Sequence, residues 1–440
     1  MQSMHNDPRR RVAEIQRRRE QLRKKRRRKR IRAVLLLLFA IAAAVGLFFI
    51  VRACVDDQQG AQILPEETGV LSQTGTSGSE AQTAEPLPQA KRLHVLSAGD
   101  NIMHDAVLAD AKHRGTDGAY AFAAMYAGIA SLIETADISF INQEGPVGAD
   151  GAYIGYPDFN APPAVFETLQ DLGFDVVNLA NNHMLDKGEQ GLGKVIAAAQ
   201  TYDFLSIGGY TQSDYDTPRI LEKDGVKIAF LSYTTLINYA HKYELSAASP
   251  YVIPYAEETV IRRQVAAAKQ AADFVLVSMH WGDEAGWDQK TGFTQNEQQA
   301  RLAQLFADLG VDVVIGHHPH VVQPITWLEG ADGGRTLVYY SLGNLLCTMH
   351  YAQYLVGALG TFDLVLEPDG SKRVENAACV PTVCHYSLTR DGLQVYRLED
   401  YSEELAAQHG STLKNAFSYA LLQQFIRETV DASYLPAFLQ

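Results

Sequence analysis

Residues 311–320 read VDVVIGHHPH, a run of apolar residues that passes directly into a glycine, three histidines and a proline. Val311, Val313, Val314 and Ile315 have the pattern of a strand buried on both faces, with Gly316 expected to turn the backbone so that His318 and His320 face back to the strand end. Neutral imidazoles at a strand rim are ligands for borderline divalent metals. Four other segments end in the same way. Residues 93–98 run into Gly99, Asp100 and Asn101, residues 138–141 into Asn142 and Glu144, and residues 174–180 into Asn181, Asn182, His183 and Asp186. Residues 274–279 run into His280, Trp281, Gly282, Asp283 and Glu284. In an open α/β sheet ligands bind beyond the carboxyl ends of the strands, so five such clusters on one sheet would enclose one or two divalent ions. Each residue also has a plainer reading: Asp100 as a helix cap, His280 beside Trp281 as a hydrogen-bonded core histidine, Asn142 and Asp283 as turn residues.

The elements that must position these groups occupy residues 91–385, where strand-like and helix-like segments alternate as in a layered α/β domain. Further strands are expected at 204–207, 228–232 and 337–341, and helices at 163–172, 192–202, 257–272 and 296–309. Residues 386–440 are expected to form a helical extension that carries no chemistry, with one or two amphipathic helices between 412 and 430.

Charge is distributed unevenly. Residues 1–32 hold 15 of the 38 lysines and arginines and three acids, leaving 23 cations against 48 acids on the rest. This basic arm abuts residues 33–51, an uncharged apolar stretch of the length that spans a bilayer. By the positive-inside bias the N-terminus is expected in the cytoplasm and the main domain outside, on a single-pass anchor in the cell membrane. A nucleic-acid-binding arm fits direct abutment to an apolar span poorly, and no nucleic-acid partner is expected. A cleaved signal peptide fits the long basic region poorly, and Arg52 makes Cys54 a poor lipidation site. Residues 52–90, rich in Gln, Gly, Ser, Thr, Pro and acids, read as a disordered linker. Cys379 and Cys384 are close enough in sequence to pair outside the cell, while Cys347 reads as a buried apolar residue.

The motifs GDNIMHD, NQE, LANNHMLDKG, HWGDE, GHHPHVVQP and YSLGN occur in the order found in the CapA family of poly-gamma-glutamate capsule synthesis proteins, related to the calcineurin-like metallophosphatases, and the chain resembles that family over residues 93–383. The resemblance implies a four-layer α/β/β/α sandwich with a two-metal centre of Mn, Zn or Fe. It implies Asp100, Glu144, Asn182, His280, His318 and His320 as ligands and His183 as general acid, with Asn142, Asp186 and Asp283 behind them and His317 at a variable position. Two departures from the phosphatase pattern stand out: Asn101 and Ile102 follow Asp100 where an Asp-x-His is expected, and neither His104 nor Asp105 has the spacing to substitute. Met184 follows His183 where an acid is expected. Two functions follow from the resemblance. One is a component of a synthase or export complex for an anionic polymer, and the other is a metal-dependent hydrolase of phosphate esters in the cell envelope. The chain contains no P-loop, so polymer synthesis would need a partner ligase.

Overall fold

The computed structural model describes residues 89–238, 244–286, 292–413 and 415–440. The basic arm, the apolar stretch 33–51 and the linker as far as residue 88 lie outside the described residues. Among the described residues no helix is long and apolar enough to cross a membrane.

In chain order the strands are β1 (Lys91–Ile102), β2 (Ile138–Glu144), β3 (Val176–Asn178), β4 (Leu205–Ile207), β5 (Tyr210–Thr211), β6 (Arg219–Lys223), β7 (Val226–Thr234) and β8 (Tyr251–Val252). They continue with β9 (Phe274–His280), β10 (Val313–His317), β11 (Ile325–Glu329), β12 (Arg335–Tyr339), β13 (Asn344–Leu346), β14 (Val356–Leu366), β15 (Lys372–His385) and β16 (Gln394–Arg397). An eight-stranded sheet has the order β16, β15, β14, β1, β2, β3, β4, with β13 added beside the end of β1. A six-stranded sheet has the order β11, β12, β10, β9, β7, β6, and β5 pairs with β8. The fold is mixed α/β. The centres of both large sheets are parallel, β1 to β4 in the first and β7, β9, β10 and β12 in the second. The five polar clusters therefore belong to two sheets, not one, because β9 and β10 pair with β7 and β12 and never with β1 to β3.

Alternation along the second sheet shows what covers it. Ile228, Phe230, Phe274, Leu276, Val313, Ile315, Leu337 and Tyr339 pack into the core shared with the first sheet. Their neighbours Ala229, Leu231, Val275, Val277, Val314 and Val338 pack instead against Ile261, Val265, Leu302 and Phe306 from the helices Glu258–Ala271 and Glu297–Asp308. One face thus meets a sheet and the other meets helices, as the period of two requires. The strand β2, buried at all 7 of its residues, is covered on both faces as well. Helices Asp105–Arg114, Ala164–Leu172, Gly188–Ala199 and Tyr419–Thr429 put Val107, Phe166, Val195 and Leu422 into that core.

Helix ends follow local chemistry. Ala164–Leu172 begins after Pro163 and stops at Gly173, whose φ of 96° is left-handed. Glu297–Asp308 begins with a reciprocal capping box between Asn296 and Gln299. The C-terminal residues are not a separate extension. The strand β16 completes the edge of the first sheet, and Leu422, Ile426, Leu435 and Leu439 are buried in its core. Their apolar residues had no other surface to cover.

Candidate metal centre

Strand register places the polar residues in two rows. Across the first sheet Asn344, Asp100, Asn142 and Asn178 sit side by side on β13, β1, β2 and β3. Across the second, Thr234, His280 and His317 do the same on β7, β9 and β10. Asn344 opens β13, and the other residues of both rows lie toward the carboxyl ends of parallel strands, where the two sheets face each other.

Asp100 is fully buried and is the most tightly held of the group. Its Oδ1 accepts from Asn142 at 2.7 Å and lies 3.0 Å from His317 Nδ1. Its Oδ2 accepts from the His318 amide at 3.2 Å and lies 3.4 Å from His320 Nδ1. Asn142 is fixed in turn by Asn178, which donates to it at 2.8 Å. Glu144 Oε1 lies 3.7 Å from His320 Nε2 and 3.9 Å from His183 Nε2. Asn182 Oδ1 is 3.0 Å from His280 Nε2, and the rings of His280 and His318 are 4.8 Å apart. All seven of the expected ligands and the expected acid, Asp100, Glu144, Asn182, His183, His280, His318 and His320, are buried at this seam.

His183 stands between Asp186 and Asn238. Its Nδ1 is 2.7 Å from Asp186 Oδ2, and its Nε2 is 3.1 Å from Asn238 Nδ2. A carboxylate partner fixes Nδ1 as the protonated nitrogen, which leaves the Nε2 lone pair toward Asn238 and Glu144. The acid missing next to His183 in sequence is thus supplied from Asp186, three residues on. Phe159 packs edge-on against the His183 ring at 4.6 Å and donates its amide to the same Asp186 oxygen at 2.8 Å.

Two groups of side chains have ligand atoms mutually within 4.8 Å: Asp100, Glu144 and His280, and Glu284, His318 and His320. Several polar atoms here have no hydrogen-bond partner although buried: Glu144 Oε2, Asn182 Nδ2, His280 Nδ1, His317 Nε2 and His318 Nδ1. Unpaired buried polar atoms of this kind, the Asn182 amide donor and the carboxylate and imidazole atoms alike, are costly unless something else satisfies them. Protonation tells the same story. Burial opposes ionisation of Asp100, but hydrogen bonds from His317 and His320 outweigh it and hold the carboxyl well below its usual range. Burial drives Glu144 well above its usual range. Burial would lower His320, yet Glu144 and Asp100 bring it up to about 10. His318 falls to about 3, through burial and the charge on His320. Burial thus opposes the charge of both carboxylates, and the imidazoles at the seam supply the opposing charge. A carboxylate, carbonyl and imidazole donor set with free lone pairs fits a divalent cation.

The structure alters four expectations. Gly316 lies within β10 and does not turn the chain. A Cβ there would sit 2.0 Å from the Tyr340 carbonyl oxygen and 2.6 Å from Trp281 Nε1, so glycine is needed for close approach. The turn is made by His318 and His320 themselves, at φ of 98° and 59°. His317 is not a bystander, since it is fully buried, bonded to Asp100 and packed on Phe140. Asp283 is exposed and accepts from Asn296 at 2.7 Å at the start of a helix, because one residue of strand-end geometry turns Glu284 to the histidines in its place. Cys379 and Cys384 are not paired with each other. Both lie on β15, where five residues of extended chain, about 16 Å, exceed disulfide reach. Cys347 is buried as expected.

Asn344 of the YSLGN motif, a rim residue by its place in the sequence, supports the site directly. Its Oδ1 is 3.0 Å from His320 Nδ1, and its Nδ2 donates to the carbonyls of His320 at 3.2 Å and Tyr354 at 2.9 Å. The signal for it was its position at the end of another apolar strand. His104, the other residue weighed as a substitute ligand, accepts from the Thr348 amide at 3.2 Å through Nδ1, and Asp105 accepts from the Gly155 amide at 2.7 Å.

Residues 94–349 match the family described as bacterial capsule synthesis protein PGA_cap, more than half of the chain. The chain is 33% identical over 212 residues to the PGA biosynthesis protein CapA of Bacillus subtilis, covering 48% of this chain and 51% of that one. It is 30% identical over 212 residues to the capsule biosynthesis protein CapA of Bacillus anthracis, covering 47% and 48%. The chain thus spans about half the length of the curated relatives it matches. Among solved structures, the NAD nucleotidase of Haemophilus influenzae aligns with 78% of this chain and 60% of its own at 14% identity, with a TM-score of 0.41.

Proposed function

We propose, on the premise that this chain belongs to the bacterial capsule synthesis protein PGA_cap family, that it serves in the synthesis or export of an anionic capsule polymer such as poly-gamma-glutamate through a divalent-metal centre. The observation that carries the metal centre is the convergence of the buried group Asp100, Glu144 and His280 with a second group of buried His318 and His320 and exposed Glu284, where Glu144 Oε2, His280 Nδ1 and His318 Nδ1 have no hydrogen-bond partner. Two ions, one for each group, are our reading, with Asn182 beside His280 and with Mn, Zn or Fe as the metals these donors suit. The bound ions would supply positive charge toward an anionic ligand and polarise a water between them. That charge matters because the chain beyond residue 32 has 23 cations against 48 acids and repels a polyanion at long range.

Our reading also includes a metallophosphatase-like four-layer sandwich on a single-pass membrane anchor, with residues 1–32 in the cytoplasm and the domain outside. A polymer synthase or export complex would then be the partner.

A second reading, hydrolysis of phosphate esters in envelope material, is favoured by one feature, the Asp186–His183 pair. A histidine whose Nδ1 is held at 2.7 Å by a carboxylate and whose Nε2 stands 3.9 Å from Glu144 is oriented to pass a proton at Nε2. Elemental analysis of the purified full chain, followed by poly-gamma-glutamate binding and by assays on a phosphomonoester and a phosphodiester, separates the readings. Bound metal with polymer binding and no turnover supports the first, turnover abolished in His183→Ala supports the second, and a chain without metal after growth in manganese and zinc refutes both.

A further inference from the structure

Cys347, just past β13, and Cys384, near the end of β15, are 37 residues apart in sequence and adjacent in space. The Cys384 sulfur donates to the Cys347 carbonyl at 3.0 Å and accepts from the Cys347 amide at 3.4 Å. Both are buried, Cys347 at 0% and Cys384 at 1% exposure. A sulfur in contact with both the amide and the carbonyl of one residue places the two Cα atoms within about 7 Å, the outer limit for a disulfide.

We propose that Cys347 and Cys384 are joined by a disulfide in the exported protein. The proposal rests on our reading that the domain lies outside the cytoplasm, where such bonds persist. The oxidant is itself a disulfide, carried by a small thiol compound or a thiol oxidoreductase. One cysteine thiolate attacks it, forming a mixed disulfide and releasing one thiolate. The second cysteine then attacks its partner's sulfur in that mixed disulfide and displaces the other thiolate. The two cysteines are oxidised, the donor disulfide is reduced, and the two protons they lose end on the two released thiols. Because burial pushes the Cys347 thiol well above its usual range, exchange belongs to the folding chain, before the segment closes.

The bond would fasten the back of the candidate metal centre. Cys347 would exchange the thiol hydrogen bond it donates to the Tyr354 carbonyl at 3.3 Å for the covalent tie, while Asn344 still donates to that carbonyl at 2.9 Å and holds His320. Tying Cys347 to β15 anchors the segment 347–354, on which Asn344 leans, to the first sheet.

The test is to refold the reduced full chain in a mixture of reduced and oxidised glutathione, block free thiols with N-ethylmaleimide, digest without reductant and map the peptides by mass. A linked pair carrying Cys347 and Cys384, with Cys379 blocked and the same link in Cys379→Ala, is expected. Blocked Cys347 and Cys384, or a link through Cys379, overturns the pairing. Blocking in intact cells before extraction distinguishes the topology: a link formed on refolding but blocked thiols in the cellular protein overturn the exported disulfide and the outward orientation, and leave the geometry standing.

Discussion

His317 and His318 are neighbours whose replacement by alanine should fail in opposite ways. His317 is wholly buried, its Nδ1 3.0 Å from Asp100 Oδ1 and its ring 5.7 Å from that of Phe140. Truncation deletes a hydrogen bond to a charged carboxylate, about 1.5–3 kcal/mol, and leaves a void where the ring stood, for a total of roughly 3–5 kcal/mol. Asp100 keeps the bonds from Asn142 and the His318 amide, so it is not left unpaired. His318 presents an Nδ1 with no partner, so its truncation costs ring packing alone, about 1–2 kcal/mol. For metal the order reverses. His318 belongs to a ligand group, whereas His317 acts by steadying Asp100, and loss of such support lowers affinity by about 10–100-fold. Urea unfolding of the metal-free proteins and equilibrium dialysis with manganese and zinc measure the two quantities separately. The reasoning fails if His317→Ala unfolds at the wild-type midpoint, or if His318→Ala binds metal as tightly as wild type or more tightly than His317→Ala.

Gly316→Ala forces a Cβ to within 2.0 Å of the Tyr340 carbonyl, on backbone that cannot give way, so a loss of more than about 3 kcal/mol is expected as a lowered midpoint in urea. Asp363 accepts from Arg92, Asn376 and His94, which outweigh burial and hold its carboxyl below the usual range. A depressed carboxylate stabilises the fold above its unfolded pKa and loses that effect as pH falls through the folded one. Asp363→Asn should therefore be less stable than wild type at pH 7 by about 1 kcal/mol, after allowance for the half-exposed Arg92, and should equal it in acid. Unfolding curves at both pH values decide it, and a gap that persists in acid counts against the ion pair. Protease added to intact cells should release the domain, and protection until lysis would reverse the proposed topology.

Strands were the legible part of the sequence. Residues 138–141 and 274–279 are apolar without interruption and became β2 and β9, each buried along its length. What composition cannot give is which strands pair, since covering on both faces looks alike in either sheet. Hence the sequence is compatible with five polar clusters on one sheet, whereas they come from two. The same limit applies within the site. His317 continues the alternation of Val313 and Ile315 on β10 and so meets Asp100, while the left-handed backbone at His318 and His320, which composition does not show, turns the chain after it. Asp283 and Glu284 are equivalent in sequence and opposite in role for the same reason. Asn344 lay in a motif already noticed, but its partner His320 is 24 residues away and is reached through strand pairing that no local pattern encodes.

The two ligand groups also differ in how much of the chain must be in place before they exist. Glu284, His318 and His320 all follow β9 and β10, which pair with each other, so that group can assemble within a single sheet. The group of Asp100, Glu144 and His280 needs both sheets docked, and the contact of Asp100 with His317 closes 217 residues of chain. Loop closure of that length comes late in folding. On the proposed reading of one ion for each group, metal uptake would be ordered in time, with one ion able to join a half-built domain and the other admitted only when the seam has closed, which would make the second a marker of completed biogenesis.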